Sequence, residues 1–183
     1  MNKKALIILA SGFEEIEAVT PIDILRRANI EVTVAGLGAK QIKGSRGLIV
    51  NCDVKLEDVV NLEFDACILP GGGEGAKNLA ASKMVESIIT RHNDNEKIIA
   101  AICASPAIVL APWKILKNKS ATTYPGTESH FSSDTTYSNE AVVVDENIIT
   151  SKGAGTAIAF ALAIVEKLSN LKTSTAIKNS IIA

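Results

Sequence analysis

Cys103 stands where a nucleophile would stand. It closes the apolar run Ile98-Ile99-Ala100-Ala101-Ile102, which reads as a buried strand, and Ser105-Pro106 leads into a helix. A residue on so sharp a strand-to-helix turn has its side chain forced upward, and the positions two before and two after it must be small. Here they are Ala101 and Ser105. Proline at the first helical position fixes the helix start without losing a needed donor. The helix N-terminus favours an anion, so the thiol is expected below its free value of ~8.5.

A carboxyl partner is available. In Ser11-Gly12-Phe13-Glu14-Glu15-Ile16-Glu17 the first two glutamates read as helix N-terminal charges. Glu17 lies between apolar neighbours, Ile16 and Val19, and a carboxyl facing an apolar cleft has a raised pKa and exchanges protons near neutrality. A third feature is Pro70-Gly71-Gly72-Gly73-Glu74-Gly75-Ala76, at the end of another strand. Glu74 would face a pyrophosphate, and Lys77 follows alanine, so dinucleotide and Walker loops both fit poorly. Backbone N–H groups aimed at an oxyanion, or a plain tight turn, remain open.

The other two cysteines read differently. Cys67 lies inside an apolar strand and is structural, while Cys52, at a strand end, is open between a buried residue and an exposed redox thiol. Three cysteines at irregular spacing make neither a disulfide framework nor a zinc cluster. With only His92 and His130, a metal would need unusual ligands.

Elements must position these groups, and the sequence alternates short apolar runs with helical stretches. That is the pattern of an α/β domain, mainly a parallel sheet with helices on both faces. Strands are expected over residues 5–10, 31–36, 48–52, 66–69 and 98–102, with an antiparallel pair over 141–144 and 148–151. Helices are expected over 16–28, where Pro21 either follows a capping Thr20 or kinks the helix, and then over 78–91, 156–168 and 174–182. A helical turn fits 56–60. No repeat or linker interrupts the chain, so one domain over 1–183 is expected.

Bulk properties narrow the partners. Nineteen basic and 20 acidic residues give a net charge of -1 with no like-charged block, and aromatics are 4%, so specific nucleic-acid binding is not expected. The start Met1-Asn2-Lys3-Lys4 resembles a leader, but the apolar run behind it has six residues and a poor cleavage region. No stretch approaches the ~20 apolar residues of a membrane span. A cytoplasmic protein is expected.

Taken in order, Gly12-x-Glu14-Glu15-x-Glu17, Val34-Ala35-Gly36-Leu37, Leu69-Pro70-Gly71-Gly72, Ala100-Ala101-Ile102-Cys103-Ala104 and Ala161-Leu162-Ala163-Ile164-Val165-Glu166 resemble the ThiJ/PfpI superfamily, in the branch of the parkinsonism-associated protein deglycase. The resemblance spans nearly the whole chain. It implies a flavodoxin-like fold, a homodimer, and a reactive Cys103 hydrogen-bonded to Glu17. It places oxyanion donors on the backbone of Gly72 and Ala104, and an arginine of the site and dimer contact on Arg46. Arg26-Arg27 matches an arginine pair, of which Arg27 would reach the partner. Two departures matter: Ala104 replaces the histidine of peptidase-like members, and Tyr124 replaces the histidine of a Thr-Thr-His-Pro segment, leaving His130 as a solvated surface residue or a substitute.

The activity the resemblance implies is that of a cofactor-free deglycase or glyoxalase. Cys103 would attack methylglyoxal, glyoxal or their adducts on protein side chains, and lactate or glycolate would be released. A redox-sensing or chaperone-type stress protein is the alternative, since an accessible low-pKa thiol suits oxidation equally. A peptidase or amidase is weaker because of Ala104.

Overall fold

The computed structural model describes residues 3–183; Met1 and Asn2, which open the leader-like start, lie outside them. A seven-stranded sheet forms the centre. In chain order the elements are β1 (Lys4–Leu9), α1 (Glu15–Arg27), β2 (Glu31–Gly36), β3 (Gln41–Lys43), β4 (Ile49–Asn51), β5 (Val54–Lys55), β6 (Ala66–Leu69), α2 (Gly73–Ala80), α3 (Lys83–Asp94), β7 (Ile98–Ile102), β8 (Ser120–Ala121), β9 (Thr136–Tyr137), β10 (Val142–Asp145), β11 (Ile148–Ser151), α4 (Ala157–Leu168) and α5 (Leu171–Ser180). The sheet order is β10-β11-β7-β6-β1-β2-β5, parallel throughout except for β10 against β11. Renumbered alone, β1, β2, β6, β7 and β11 lie in the order 2-1-3-4-5, which is the flavodoxin-like arrangement.

The strands are unbroken apolar runs because both faces are covered. Side chains alternate across the sheet, so Ala5, Ile7, Leu9, Ile68 and Ala100 pack with α1, α4 and α5. Leu6, Ile8, Cys67, Leu69 and Ile99 face α2, α3 and the segment after β7. Helices therefore lie on both faces, as expected.

Several expectations need correction. The single helix expected over 78–91 is two, α2 and α3, and residues 73–76 of the glycine loop form the first turn of α2, with Gly71 and Gly72 left outside it. The break falls at Ser82, whose hydroxyl caps α3 by accepting the Val85 N–H at 3.4 Å. Of the two placements of Pro21, the helix start after a capping Thr20 fails and the position within an earlier-starting helix holds. It sits inside α1, where it removes the N–H that would bond the Glu17 carbonyl. The strand expected over 48–52 is outside the central sheet, paired antiparallel with β3 as a small hairpin. Cys52 is buried at 3% exposure, which removes the exposed-thiol reading. No helix among the described residues is long and apolar enough to cross a membrane.

Candidate active site

Parallel strands end together, so the turns after β1, β6, β7 and β11 share one edge of the sheet, and ligand sites of open α/β sheets lie at that edge. Cys103 is there, half-buried, with φ at +63°, a conformation that a cysteine adopts only when its surroundings impose it. Four bonds impose it. The Cys103 N–H donates to the Ser151 carbonyl at 2.9 Å, extending the β7–β11 ladder by one residue. Its carbonyl accepts the Tyr124 N–H at 2.8 Å and the Thr123 hydroxyl at 2.9 Å. The buried Ser105 hydroxyl donates to the Pro70 carbonyl at 2.6 Å, tying the turn to the end of β6.

Glu17, on the first turns of α1, comes to this edge from the face shared by α1 and α4. It is 1% exposed, and its Oε2 accepts the Gly71 N–H at 2.8 Å. Gly71 is the wedge between the two reactive groups. A Cβ there would stand 2.6 Å from the Cys103 Cβ, 2.6 Å from Glu17 Oε2 and 2.9 Å from the Ile102 carbonyl oxygen, so only glycine fits. Gly72 needs glycine for another reason, since its φ is +92°. The backbone N–H groups of Gly72 and Ala104 lie around the Cys103 thiol and favour its thiolate, against the Glu17 carboxyl.

The electrostatics of the pair differ from the sequence expectation. Burial pushes Glu17 up to about 7, against the opposing hydrogen bonds of Cys103 and Gly71. Burial also pushes the Cys103 thiol up to about 12, and the negative charge of Glu17 adds to it. A helix start at this point would have lowered the thiol. Instead, Cys103 leads into a turn and a short π-helical segment, Pro106–Leu110, with no regular α-helix there. Burial of the sulfur, with the Glu17 carboxyl beside it, outweighs what dipole remains. At neutral pH the pair therefore stands between holding two protons and holding one. When Glu17 is protonated its repulsion is gone, and the Gly72 and Ala104 N–H groups are left to favour the thiolate.

The other expected residues divide. The Tyr124 ring comes to the site, since a Cβ on Gly153 would lie within 4 Å of both the ring and Glu17 Oε1. Arg46 does not contact the sulfur: its side chain is 80% exposed, and its guanidinium stands 3.9 Å from Glu14. Glu15 is more than a helix-terminal charge. Its Oε1 accepts the N–H groups of Arg46 at 2.7 Å and Leu48 at 3.3 Å, anchoring the 44–48 loop against α1. Slight burial works to raise the Glu15 carboxyl, but these bonds and the Ser45 hydroxyl together hold it below its ordinary value. His130 is exposed on a turn, and His92 is buried in α3 with Nδ1 2.8 Å from the Ile88 carbonyl, so neither histidine reaches Cys103. No cluster of three or more His, Cys, Asp or Glu among the described residues could hold a metal ion.

Sequence reasoning missed Gly71 as a spacer, Ser105 as a hydroxyl tether, and any place for Gly153 at the site. Gly71 carried a signal, being a strand-end glycine on the ligand edge. Gly153 carried none without the third dimension.

This burial pattern sets the order of thiol labelling. Iodoacetamide is expected to modify Cys103 while Cys52 (3% exposed) and Cys67 (0%) stay protected. Peptide mapping checks it. Because the Cys103 thiol is raised, its labelling rate should keep climbing above pH 8 instead of levelling near 7. Faster modification of Cys67 would remove Cys103 from the site.

Known proteins resemble this chain in sequence and in fold. The model of the DJ-1/PfpI family matches residues 3–167. A zebrafish (Danio rerio) protein named Parkinson disease protein 7 homolog is 41% identical over 99% of this chain and 97% of its own length. The glutathione-independent glyoxalase DJR-1.2 of Caenorhabditis elegans is 36% identical over 91% of this chain and 89% of its own. The crystal structure of Drosophila melanogaster DJ-1beta superposes with a TM-score of 0.96 at 38% identity, covering 100% of this chain and 99% of that one.

Proposed function

The chain belongs to the DJ-1/PfpI family, and from that premise we propose that it is a cysteine-dependent glyoxalase or deglycase acting on 2-oxoaldehydes or their adducts with protein side chains. The observation that carries the reading is the meeting of a buried carboxyl with the cysteine across the glycine turn, where a Cβ on Gly71 would stand 2.6 Å from both Glu17 Oε2 and the Cys103 Cβ. The relative named a glyoxalase supports the substrate class.

The steps balance without a cofactor. The Cys103 sulfur adds to the aldehyde carbon of methylglyoxal, and the thiol proton ends on the aldehyde oxygen, giving a hemithioacetal. The Gly72 and Ala104 N–H groups, which favour the thiolate, would stabilise the oxygen that carries charge as the bond forms. Glu17, as carboxylate, removes the proton from that carbon and returns it to the adjacent one, while the hydroxyl proton passes to the second oxygen. The result is a lactoyl thioester, and water cleaves it to lactate and the free thiol. Glyoxal would give glycolate by the same route. On a glycated side chain, the amine or guanidine would depart when the adduct is resolved.

Ala104 offers no histidine to protonate a leaving amine, which disfavours a peptidase. A dimer is part of the proposal. Ile16 and Val19 on α1 are 54% and 44% exposed, an apolar stripe suited to a second copy, and Arg27 is exposed nearby, paired only with Asp23. The redox-sensing reading draws on the same donors, which would equally hold the oxygens of an oxidised cysteine. Turnover decides between them. Wild type should convert methylglyoxal to lactate under steady state, and Cys103→Ser should not; a wild type that is merely oxidised and never turns over sinks the enzymatic proposal.

A further inference from the structure

Gly153 has no side chain, yet neither the backbone nor the packing demands glycine there. It comes after β11, is buried, and has φ 162° and ψ -170°, extended backbone open to any residue. In this it differs from Gly72, held at positive φ, and from Gly71, where a Cβ would collide with three atoms. A Cβ on Gly153 would stand 3.5 Å from Tyr124 Cδ2, 3.9 Å from Tyr124 Cε2 and 3.9 Å from Glu17 Oε1. These are ordinary contact distances. The glycine thus leaves a methyl-sized space with the Tyr124 ring on one side and Glu17 Oε1 on the other.

We propose that Gly153 and Tyr124 form the subsite that sets how large a substituent the 2-oxoaldehyde can carry next to its ketone carbon. The inference rests on the glyoxalase reading above. Glu17 Oε2 is held by the Gly71 N–H, so Oε1, the oxygen facing this space, is the one free to exchange a proton with substrate. The carbons that trade the proton must lie against it, and the ketone substituent is then carried toward Gly153. Tyr124 makes a fixed wall. Its N–H is bonded to the Cys103 carbonyl at 2.8 Å, and its own carbonyl accepts the Thr127 hydroxyl at 2.7 Å. Its ring is 52% exposed, so the space opens to solvent along that side. Hydrogen and methyl substituents fit within it, and a flat aromatic substituent fits only by lying along the tyrosine.

The test compares kcat/KM for glyoxal and phenylglyoxal. Filling the space with Gly153→Ala is expected to lower the phenylglyoxal-to-glyoxal ratio about tenfold, the scale of one methyl in a binding pocket. Tyr124→Ala, which removes the opposite wall, should move the ratio the other way. Equal losses for both aldehydes in Gly153→Ala, or no rise of the ratio in Tyr124→Ala, would overturn the assignment. Alkylation of Cys103 gives a readout independent of turnover. Gly153→Ala should slow N-phenyl iodoacetamide more than iodoacetamide. If wild type turns over neither aldehyde but the alkylation ratio shifts, the glyoxalase reading fails and the subsite stands; an unchanged alkylation ratio overturns the subsite itself.

Discussion

Glu17→Gln is expected to lower methylglyoxal turnover by ~100-fold to ~10,000-fold, the range for loss of a positioned acid–base group, with the fold intact. Glutamine keeps the shape of the side chain, and its amide oxygen can still accept the Gly71 N–H that Glu17 holds at 2.8 Å. What it cannot do is carry a proton from one carbon to the next. The pH profile makes the effect specific. Glu17 must be a carboxylate to take the carbon-bound proton, and burial raises it to about 7, so wild-type kcat should fall as pH drops through 7. In Glu17→Gln that limb should vanish. Near-wild-type turnover in the variant would mean that another group moves the proton. The same proteins examine the redox reading. Two equivalents of peroxide convert a thiol to a sulfinic acid with release of two waters, and loss of the carboxyl should change how far Cys103 proceeds toward it, read by intact mass.

Gly71→Ala is the second large effect. The added methyl would sit within 2.9 Å of three atoms, one of them the backbone carbonyl of Ile102, which cannot swing aside as a side chain could. Relief must come from moving β6 away from the Cys103 turn or from pushing Glu17 back along α1. Either way the carboxyl and the sulfur separate. A misplacement of about 1 Å in a catalytic pair costs ~100-fold in rate. We expect a fall of that order in kcat, with a lowered Tm from the strain. Crystallography or circular dichroism at moderate temperature separates a displaced site from an unfolded chain. Wild-type kinetics in a folded Gly71→Ala protein would show that the wedge is not needed.

Much of this site was legible because its local signals were strong. Cys103 announced itself through small flanking residues and Pro106, Glu17 through its apolar neighbours, and the central strands β6 and β7 through unbroken aliphatic runs. The misread parts share a physical reason, which is that distant segments decided them. The helix expected over 78–91 is divided by a single serine cap, and its first glycines are helical because α2 packs on the loop after β1. At Gly75 a Cβ would stand 2.8 Å from the Phe13 backbone. The thiol's acidity was misjudged because the turn was visible in the sequence, whereas the burial that raises the thiol, and the Glu17 carboxyl that adds to it, come from segments far away in the chain. Arg46 matched a motif, yet its loop is anchored to Glu15 and its guanidinium turns to Glu14.

That separation has a consequence for how the protein comes to be active. Glu17, Gly71, Cys103 and Gly153 come after four different strands, and they meet only when β1, β6, β7 and β11 lie side by side in register. Parallel pairing of this kind joins residues far apart in the chain and is completed late. Until the final strand docks, the Cys103 N–H lacks the Ser151 carbonyl, one of the four bonds that hold its φ positive. An unfinished chain therefore carries an ordinary thiol with no carboxyl beside it and no paired N–H groups around it. What the last step of assembly completes is the catalytic arrangement and not the acidity of the thiol, which burial lowers as the fold closes.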